Sequence, residues 1–360
     1  MAVHCVPQPP RMSGHRRPAY RRLLTTGLAT AALLTLGLPS FAAGAAQPTC
    51  FGRPATITGS GTINGTEGDD VIIGSNRDDI IQGFGGDDLI CGRGGNDAQI
   101  NGGLGDDKLD GGPGDDQLRG DVRFLRGSGT AAVGGGNDVL YGGPGNDRMV
   151  GDSSGEPASG GGNDHMYGGP GDDSLIGDSI AFVGDAEGAG DDVLMGGTGL
   201  DDLIGDSEAF GGDSIGSGGD DVLDLGADGG FFVAGDHNIS DPNGGAALGA
   251  GRDRIIGGSA DEILAGDSST VGDPTEAGND LIAGRGGNDR LFGDNTDFFI
   301  TTTLGAAGGR DRLDGGNGDD TLRAGPGNDR LDGGRQTDDC HGEAGSGDTA
   351  VRCETVNGIP

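Results

Sequence analysis

Large aliphatic residues recur along most of this chain at intervals of nine, each two places after an aspartate. In Gly102-Gly103-Leu104-Gly105-Asp106-Asp107-Lys108-Leu109-Asp110 the pair is Asp107 and Leu109. The next unit, Gly111-Gly112-Pro113-Gly114-Asp115-Asp116-Gln117-Leu118-Arg119, follows at once with Asp116 and Leu118. Copies recur at 142–150, 168–176, 284–292, 315–323 and 324–332, with weaker ones from Gly65, Gly74, Gly83 and Gly92. The sixth position holds Asp70, Asp79, Asp88, Asp97, Asp107 and Asp116, and two units span 18 residues, with one inserted residue near Asn101. The pattern predicts many short strands, such as Val139-Leu140-Tyr141 and His165-Met166-Tyr167, each with one aliphatic residue turned inward; Ile72, Ile81, Ile90, Leu109 and Leu118 are examples. A disordered acidic linker would not hold aspartate and aliphatic residue in one register.

Composition agrees with strands this thin. Only 32% of the 360 residues are hydrophobic, there is no Trp, and 83 are Gly. One large core of the kind a helical domain, a Rossmann enzyme or a barrel enzyme needs is therefore excluded. Glycine without a strict three-residue period also excludes collagen.

Residues 1–45 carry Arg11, Arg16, Arg17, Arg21 and Arg22 and no acid, then an apolar run from Leu23 to Leu38 and small residues Ala42 to Ala46. This is the layout of a cleaved export signal. Arg21-Arg22 also admits a twin-arginine reading. Without the five leader arginines, 18 basic side chains face 58 acidic ones, so the mature chain carries −40 against −35 for the whole. Nucleic acid is excluded as a partner, since its binding needs a basic face; cations are the natural partners. No second apolar stretch approaches membrane-spanning length, and a secreted, extracellular monomer is expected.

The unit resembles the G-G-x-G-x-D-x-U-x nonapeptide of RTX (hemolysin-type) calcium-binding proteins, U being a large aliphatic residue. The resemblance covers about residues 65–341. It implies an all-β, right-handed parallel β-roll of about twelve coils. Each coil would be two nonapeptides, with six residues turning and three forming a strand. Calcium is the implied cofactor, in multiple copies. The chemistry of the residues agrees: glycine lets backbone carbonyls turn toward an ion, and calcium takes six to eight oxygens. An ion is expected between sixth-position aspartates one coil apart, such as Asp70 with Asp88 and Asp79 with Asp97. The candidate ligands continue through Asp107, Asp116, Asp138, Asp147, Asp164, Asp173, Asp192, Asp201, Asp221, Asp253, Asp280, Asp289, Asp311, Asp320 and Asp329. Around Gly226–Gly230 the sixth-position Asp is missing, and Glu262 stands where Asp would be, so calcium is expected to be weak or absent at those two turns.

From residue 120 a second level of repetition appears. Asp138, Asp164, Asp192, Asp221, Asp253, Asp280 and Asp311 are spaced by 26, 28, 29, 32, 27 and 31 residues, beyond the 18 of a plain coil. The excess always follows a strand ending in Gly-Asp, at Asp121, Asp152, Asp178, Asp206, Asp236, Asp267 and Asp294. One edge of the roll therefore keeps tight turns while the other grows loops. The Gly-Asp aspartates either add ligands there or cap the strand in solvent. Phe182, Phe210, Phe298, Phe299 and Ile300 in these loops either offer a partner surface or fold back over the roll.

Cys5 leaves with the leader. Cys50, Cys91, Cys340 and Cys353 lie near the two ends of the array and could pair three ways. Oxidising surroundings and the need of a solenoid for protected ends favour Cys50–Cys91 and Cys340–Cys353. Both ends also resemble those of secreted actinobacterial relatives with flanking cysteines. The organisation expected is a signal peptide at 1–45, an N-terminal cap at 46–64, the repeat roll at 65–341 and a C-terminal cap at 342–360.

No enzyme is expected. Gly151-Asp152-Ser153-Ser154-Gly155 and Gly212-Asp213-Ser214-Ile215-Gly216 fit G-x-S-x-G, but neither sits between a buried strand and a helix. His165, His237 and His341 show no metal-protease spacing. The expectation is a secreted calcium-binding protein whose ions fold and rigidify the roll. The alternative is a calcium-dependent adhesion protein touching the cell envelope or a polysaccharide through its loop edge.

Overall fold

The computed structural model describes residues 47–123, 131–242, 245–271, 274, 276–297, 299–306 and 308–360. The expected export signal at 1–45 and Phe298 lie outside the described residues. Among those described, every regular element is a β-strand. Successive strands alternate between two long sheets: Val71–Ile73 in the first, Ile80–Gly85 in the second, then Leu89–Cys91 in the first again. Each long sheet contains thirteen parallel strands among the described residues, which makes a parallel β-roll one layer longer than the sequence pattern suggested.

The reason is local. Three-residue strands point only their middle side chain inward, and the register stacks these into a column. Leu140 lies opposite Leu109 and Met166 in the first sheet, and Leu118 lies opposite Ile100 and Met149 in the second. All six are fully buried in one continuous core. Each such side chain contributes roughly 1.5–3 kcal/mol on burial, so one aliphatic residue in nine sustains the core of a chain otherwise made of turns. The turns demand glycine where coils touch. Gly145 has φ of 147°, and a Cβ there would lie 1.8 Å from the Gly114 carbonyl oxygen of the coil before.

The roll reaches into both segments expected to be caps. Ile57–Thr58 and Thr62–Asn64 already pair in the two long sheets, and Thr349–Val351 and Thr355–Asn357 are their last strands. Both expected disulfides are formed, Cys50–Cys91 and Cys340–Cys353. Cys340 is fully buried at an aliphatic position, in register with Leu322 and Val356.

The loop edge is more ordered than its sequence suggests. After Gly177-Asp178 the chain forms Ile180–Ala181, turns, forms Ala186–Glu187, and returns through Gly188–Gly190 to the first long sheet at Val193. Equivalent pairs in neighbouring coils stack into two further parallel sheets, of six and five strands among the described residues. A long coil therefore has two lobes joined by a waist. The side lobe is thin because its inward residues are small: Ala132, Ala158, Ala186, Ser214 and Ala247 stand in register and are buried. Two-residue strands of Ala, Ser and Gly carry no readable periodicity, which is why they read as loops. Phe182 and Phe210 fold back, 6.2 Å apart between ring centroids, onto Val150, Ile176, Ile180 and Ile204. Phe299 remains exposed.

Replacing Leu140 by Ala is expected to cost about 2–4 kcal/mol in chemical denaturation with calcium present. Leu200→Ala, at a half-exposed turn position, should cost less than about 0.5 kcal/mol.

Candidate metal centres

Each tight turn reaches its sixth-position carboxylate back to the coil before it. On the tight edge, Oδ1 of Asp97 accepts the N–H of Asp79 at 2.8 Å, and Asp116 accepts from Asp97 at 2.7 Å. Asp147, Asp173 and Asp201 then accept from Asp116, Asp147 and Asp173 at 2.8, 2.8 and 2.9 Å. On the loop edge the same bond runs without a break from Asp70 through Asp88, Asp107, Asp138, Asp164, Asp192, Asp221, Asp253, Asp280, Asp311 and Asp329. The period that the sequence carries as 18 to 32 residues thus becomes one repeating contact between adjacent coils.

The second oxygen of these carboxylates has no such partner. From Asp88 and Asp97 onward, Oδ2 of each sixth-position aspartate is buried and accepts no hydrogen bond. Asp70 and Asp79, which open the two columns, differ. Thr56 and Thr66 satisfy Asp70, while the N–H groups of Gly61 and Ser75 satisfy Asp79. The orphaned oxygens converge with backbone carbonyls. A Cβ placed on Gly102 would lie 2.0 Å from Asp107 Oδ2 and 2.4 Å from the Gly120 carbonyl oxygen, so these oxygens face one small cradle that only glycine leaves open.

Two turns depart from the pattern, as their sequences announce, but not in the same way. At Gly226–Gly230 the Asp201 N–H goes to the Gly229 carbonyl at 3.1 Å, and the carboxylate column is interrupted. Glu262 keeps its place: its N–H donates to Asp289 Oδ1 at 2.9 Å, Oε1 accepts from Gly258 N–H at 2.7 Å, and Oε2 is a buried orphan like the aspartate Oδ2 atoms. The extra methylene is absorbed by the turn, so Glu262 still places a buried oxygen where the aspartates place Oδ2. The columns also run further than the nineteen aspartates expected from sequence. Asp338 accepts from Asp320 and Asp348 from Asp329, 18 and 19 residues on, a spacing already present in the sequence.

Buried, mutually repelling carboxylates hold their protons. Burial, with neighbouring aspartates adding to it, pushes Asp88 and Asp97 from an ordinary value near 3.8 up to about 7, Asp107 to about 8, and Asp116 and Asp173 to about 6. His237, in a column otherwise filled by Ser179, Ser207 and Ser268, is fully buried and pushed down to about 3 by that burial.

The residues fit a hard cation. The donors are all carboxylate and carbonyl oxygens, they are buried without partners, and they surround a cradle too small for a side chain. Among the described residues the clusters that could hold a metal are all aspartate, and Cys50, Cys91, Cys340 and Cys353 are spent in disulfides. Fold and site together define a β-roll solenoid with columns of buried carboxylates between its coils that fit a hard cation. The family model described as RTX calcium-binding nonapeptide repeat (4 copies) matches residues 64–98, 99–122, 126–154, 159–179, 188–209, 248–269, 275–297 and 306–347, and the chain belongs to that family. No curated protein matches the chain.

The raised carboxyl values fix the pH response of the metal-free protein. Protons held by the folded roll are released on unfolding, so this contribution to stability is complete below about pH 4 and fades as pH rises through 6 to 8. In metal-free buffer, lowering the pH from 8 to 5 should increase the far-UV circular dichroism signal of β structure. A decrease over that range would contradict this electrostatic picture.

Proposed function

We propose that this is a secreted, non-catalytic protein whose roll is folded and stiffened by calcium ions held at the turns of its nonapeptide repeats. The observation that carries this reading is the pair of in-register columns of buried carboxylates, each with one oxygen bonded to the neighbouring coil and one without a partner. Such a buried charge is strongly destabilising unless something neutralises it. Calcium, when bound, supplies two positive charges and six to eight oxygen-ligand positions without demanding the rigid octahedron that magnesium requires. The chain's part is to orient the carboxylates, which the amide-to-Oδ1 bond does, and to exclude water from the cradle, which the aliphatic column beside it does. Binding free energy then becomes folding free energy.

Export through the leader at 1–45 suits this coupling. A loose, strongly acidic chain crosses the membrane and folds where calcium is plentiful, which favours a route for unfolded cargo over a twin-arginine route. Among the described residues no helix is long and apolar enough to cross a membrane. The non-catalytic reading is supported at both G-x-S-x-G matches. Ser153 is fully buried, and the buried Ser214 spends its hydroxyl on the Ser207 carbonyl at 2.8 Å. Each match is an edge of the side lobe rather than a nucleophile turn.

Titration of the metal-free protein with calcium at pH 7.5, followed by far-UV circular dichroism, should give a cooperative gain of β structure that magnesium does not reproduce. A spectrum already rich in β structure and unchanged by calcium would overturn the proposal.

A further inference from the structure

The waist between the two lobes carries carboxylates that the nonapeptide does not contain. Every long coil crosses it twice, leaving the main lobe at a Gly-Asp aspartate and returning at a sixth-position aspartate. The sequence left open whether the Gly-Asp side chains cap their strands in solvent, and the structure closes that option: Asp121, Asp152, Asp178, Asp206 and Asp236 are all fully buried. No oxygen of Asp121, Asp178, Asp206 or Asp236, nor Oδ2 of Asp152, meets a donor at good hydrogen-bond geometry, although Asp121 lies against Asp152, Asp206 lies against Asp178 and Asp236, and the Gly190 and Gly219 N–H groups face Asp206. These orphans lie together. Carboxylate oxygens of Asp121, Asp138 and Asp152 fall within 4.8 Å of one another, and so do those of Asp152, Asp164 and Asp178.

Among the described residues no Lys or Arg side chain forms an ion pair with this row. The charged groups acting most strongly on Asp152 are Asp164, Asp121 and Asp138, and those acting on Asp178 are Asp192, Asp206, Asp152 and Asp164. Among the described residues His237 is the basic group paired with it, with Nε2 3.8 Å from Asp206 Oδ2. The backbone is cut back to make room: a Cβ on Gly188 would lie 2.6 Å from the Asp178 Cβ. Toward the C-terminal end the chain supplies partners of its own. Asp267 takes the Gly278 N–H at 2.8 Å and Asn295 Nδ2 at 3.2 Å, and Asp294 takes the Gly309 N–H at 2.9 Å. Asp294 Oδ2 stays a buried orphan like Asp152 Oδ2, so the row is least satisfied between Asp121 and Asp236.

We infer that the waist forms a row of cation sites of its own, in which the Gly-Asp carboxylates of two successive coils and the sixth-position carboxylate between them hold a hard multivalent cation of the calcium class. Asp121, Asp138 and Asp152 make one such site and Asp152, Asp164 and Asp178 the next. This inference rests on the calcium-folded reading of the roll. Three carboxylates at each waist site, against the turn geometry of the tight edge, give it the more anionic ligand set and make it the last to release its ion. The side lobe is then the scaffold that brings the third carboxylate into place.

Two measurements test this on the whole protein. Crystals grown with calcium, with diffraction data collected at a wavelength where calcium scatters anomalously, should show a peak between Asp152, Asp164 and Asp178. Peaks confined to the tight-edge turns would overturn the waist sites while leaving the roll's calcium dependence intact. Counting ions by native mass spectrometry at limiting calcium, Asp152→Asn, which belongs to both triads, should lose two ions, and Asp121→Asn should lose one. The exposed Asp172→Asn should lose none. An unchanged count in both waist variants would mean that these carboxyls carry protons instead, and would overturn the inference. Failure of the underlying reading looks different: the unsubstituted protein would take up no calcium at all. Where Asp152→Asn does not fold, the anomalous map of the unsubstituted protein decides.

Discussion

A single contact organises this molecule: the carboxylate of one coil accepting the backbone N–H of the aspartate in the coil before it. Bonds of this kind, such as Asp138 N–H to Asp164 Oδ1 at 2.7 Å, set the stacking of the coils and the direction in which each carboxylate points. They also create the problem that the rest of the structure must meet. Using Oδ1 to join two coils leaves Oδ2 buried beside other carboxylates, in a chain whose acidic side chains outnumber basic ones 58 to 23. Repulsion along such columns opposes compaction, and only protons or cations relieve it.

The hydrophobic contribution is correspondingly spare. One aliphatic side chain per nonapeptide forms two facing files between the two long sheets, capped at both ends by disulfides that tie the outermost coils to their neighbours. A core this narrow tolerates no gap in either file and leaves little free energy to offset unpaired charge. The proposed coupling between ion binding and folding rests on the proportions of the repeat as much as on the ligands themselves. The side lobe extends the same economy with alanine in place of leucine, which is affordable only because its strands are buttressed by the main lobe.

Most of this was legible in the sequence because the repeat fixes register through residues with strong constraints. Asp107 and Leu109 keep the two-residue offset that recurs from unit to unit, and the cysteines near the array ends pair as their location suggested. Three features were not legible. The side lobe is built from two-residue strands such as Ala158–Ser159, too short and too small to show a period. The reach of Glu262 was not legible either: calcium is expected to be weak or absent at its turn, and residue type alone did not tell that its longer side chain would still bring a buried oxygen there. Burial of the Gly-Asp aspartates was undecidable, since the same dipeptide serves equally well in an open turn, and only the folding of Ile180–Ala181 and Ala186–Glu187 over the waist encloses Asp178.

The most direct test of the account is residue-resolved hydrogen–deuterium exchange at neutral pH, with calcium and with chelator. The amides of Asp88, Asp116, Asp147 and Asp192, which donate to the carboxylates of the next coil, should be strongly protected with calcium and should exchange at rates near those of an unfolded chain without it. Equal protection of these amides in both conditions would show that the roll holds its carboxylate columns without cations, and would contradict the account.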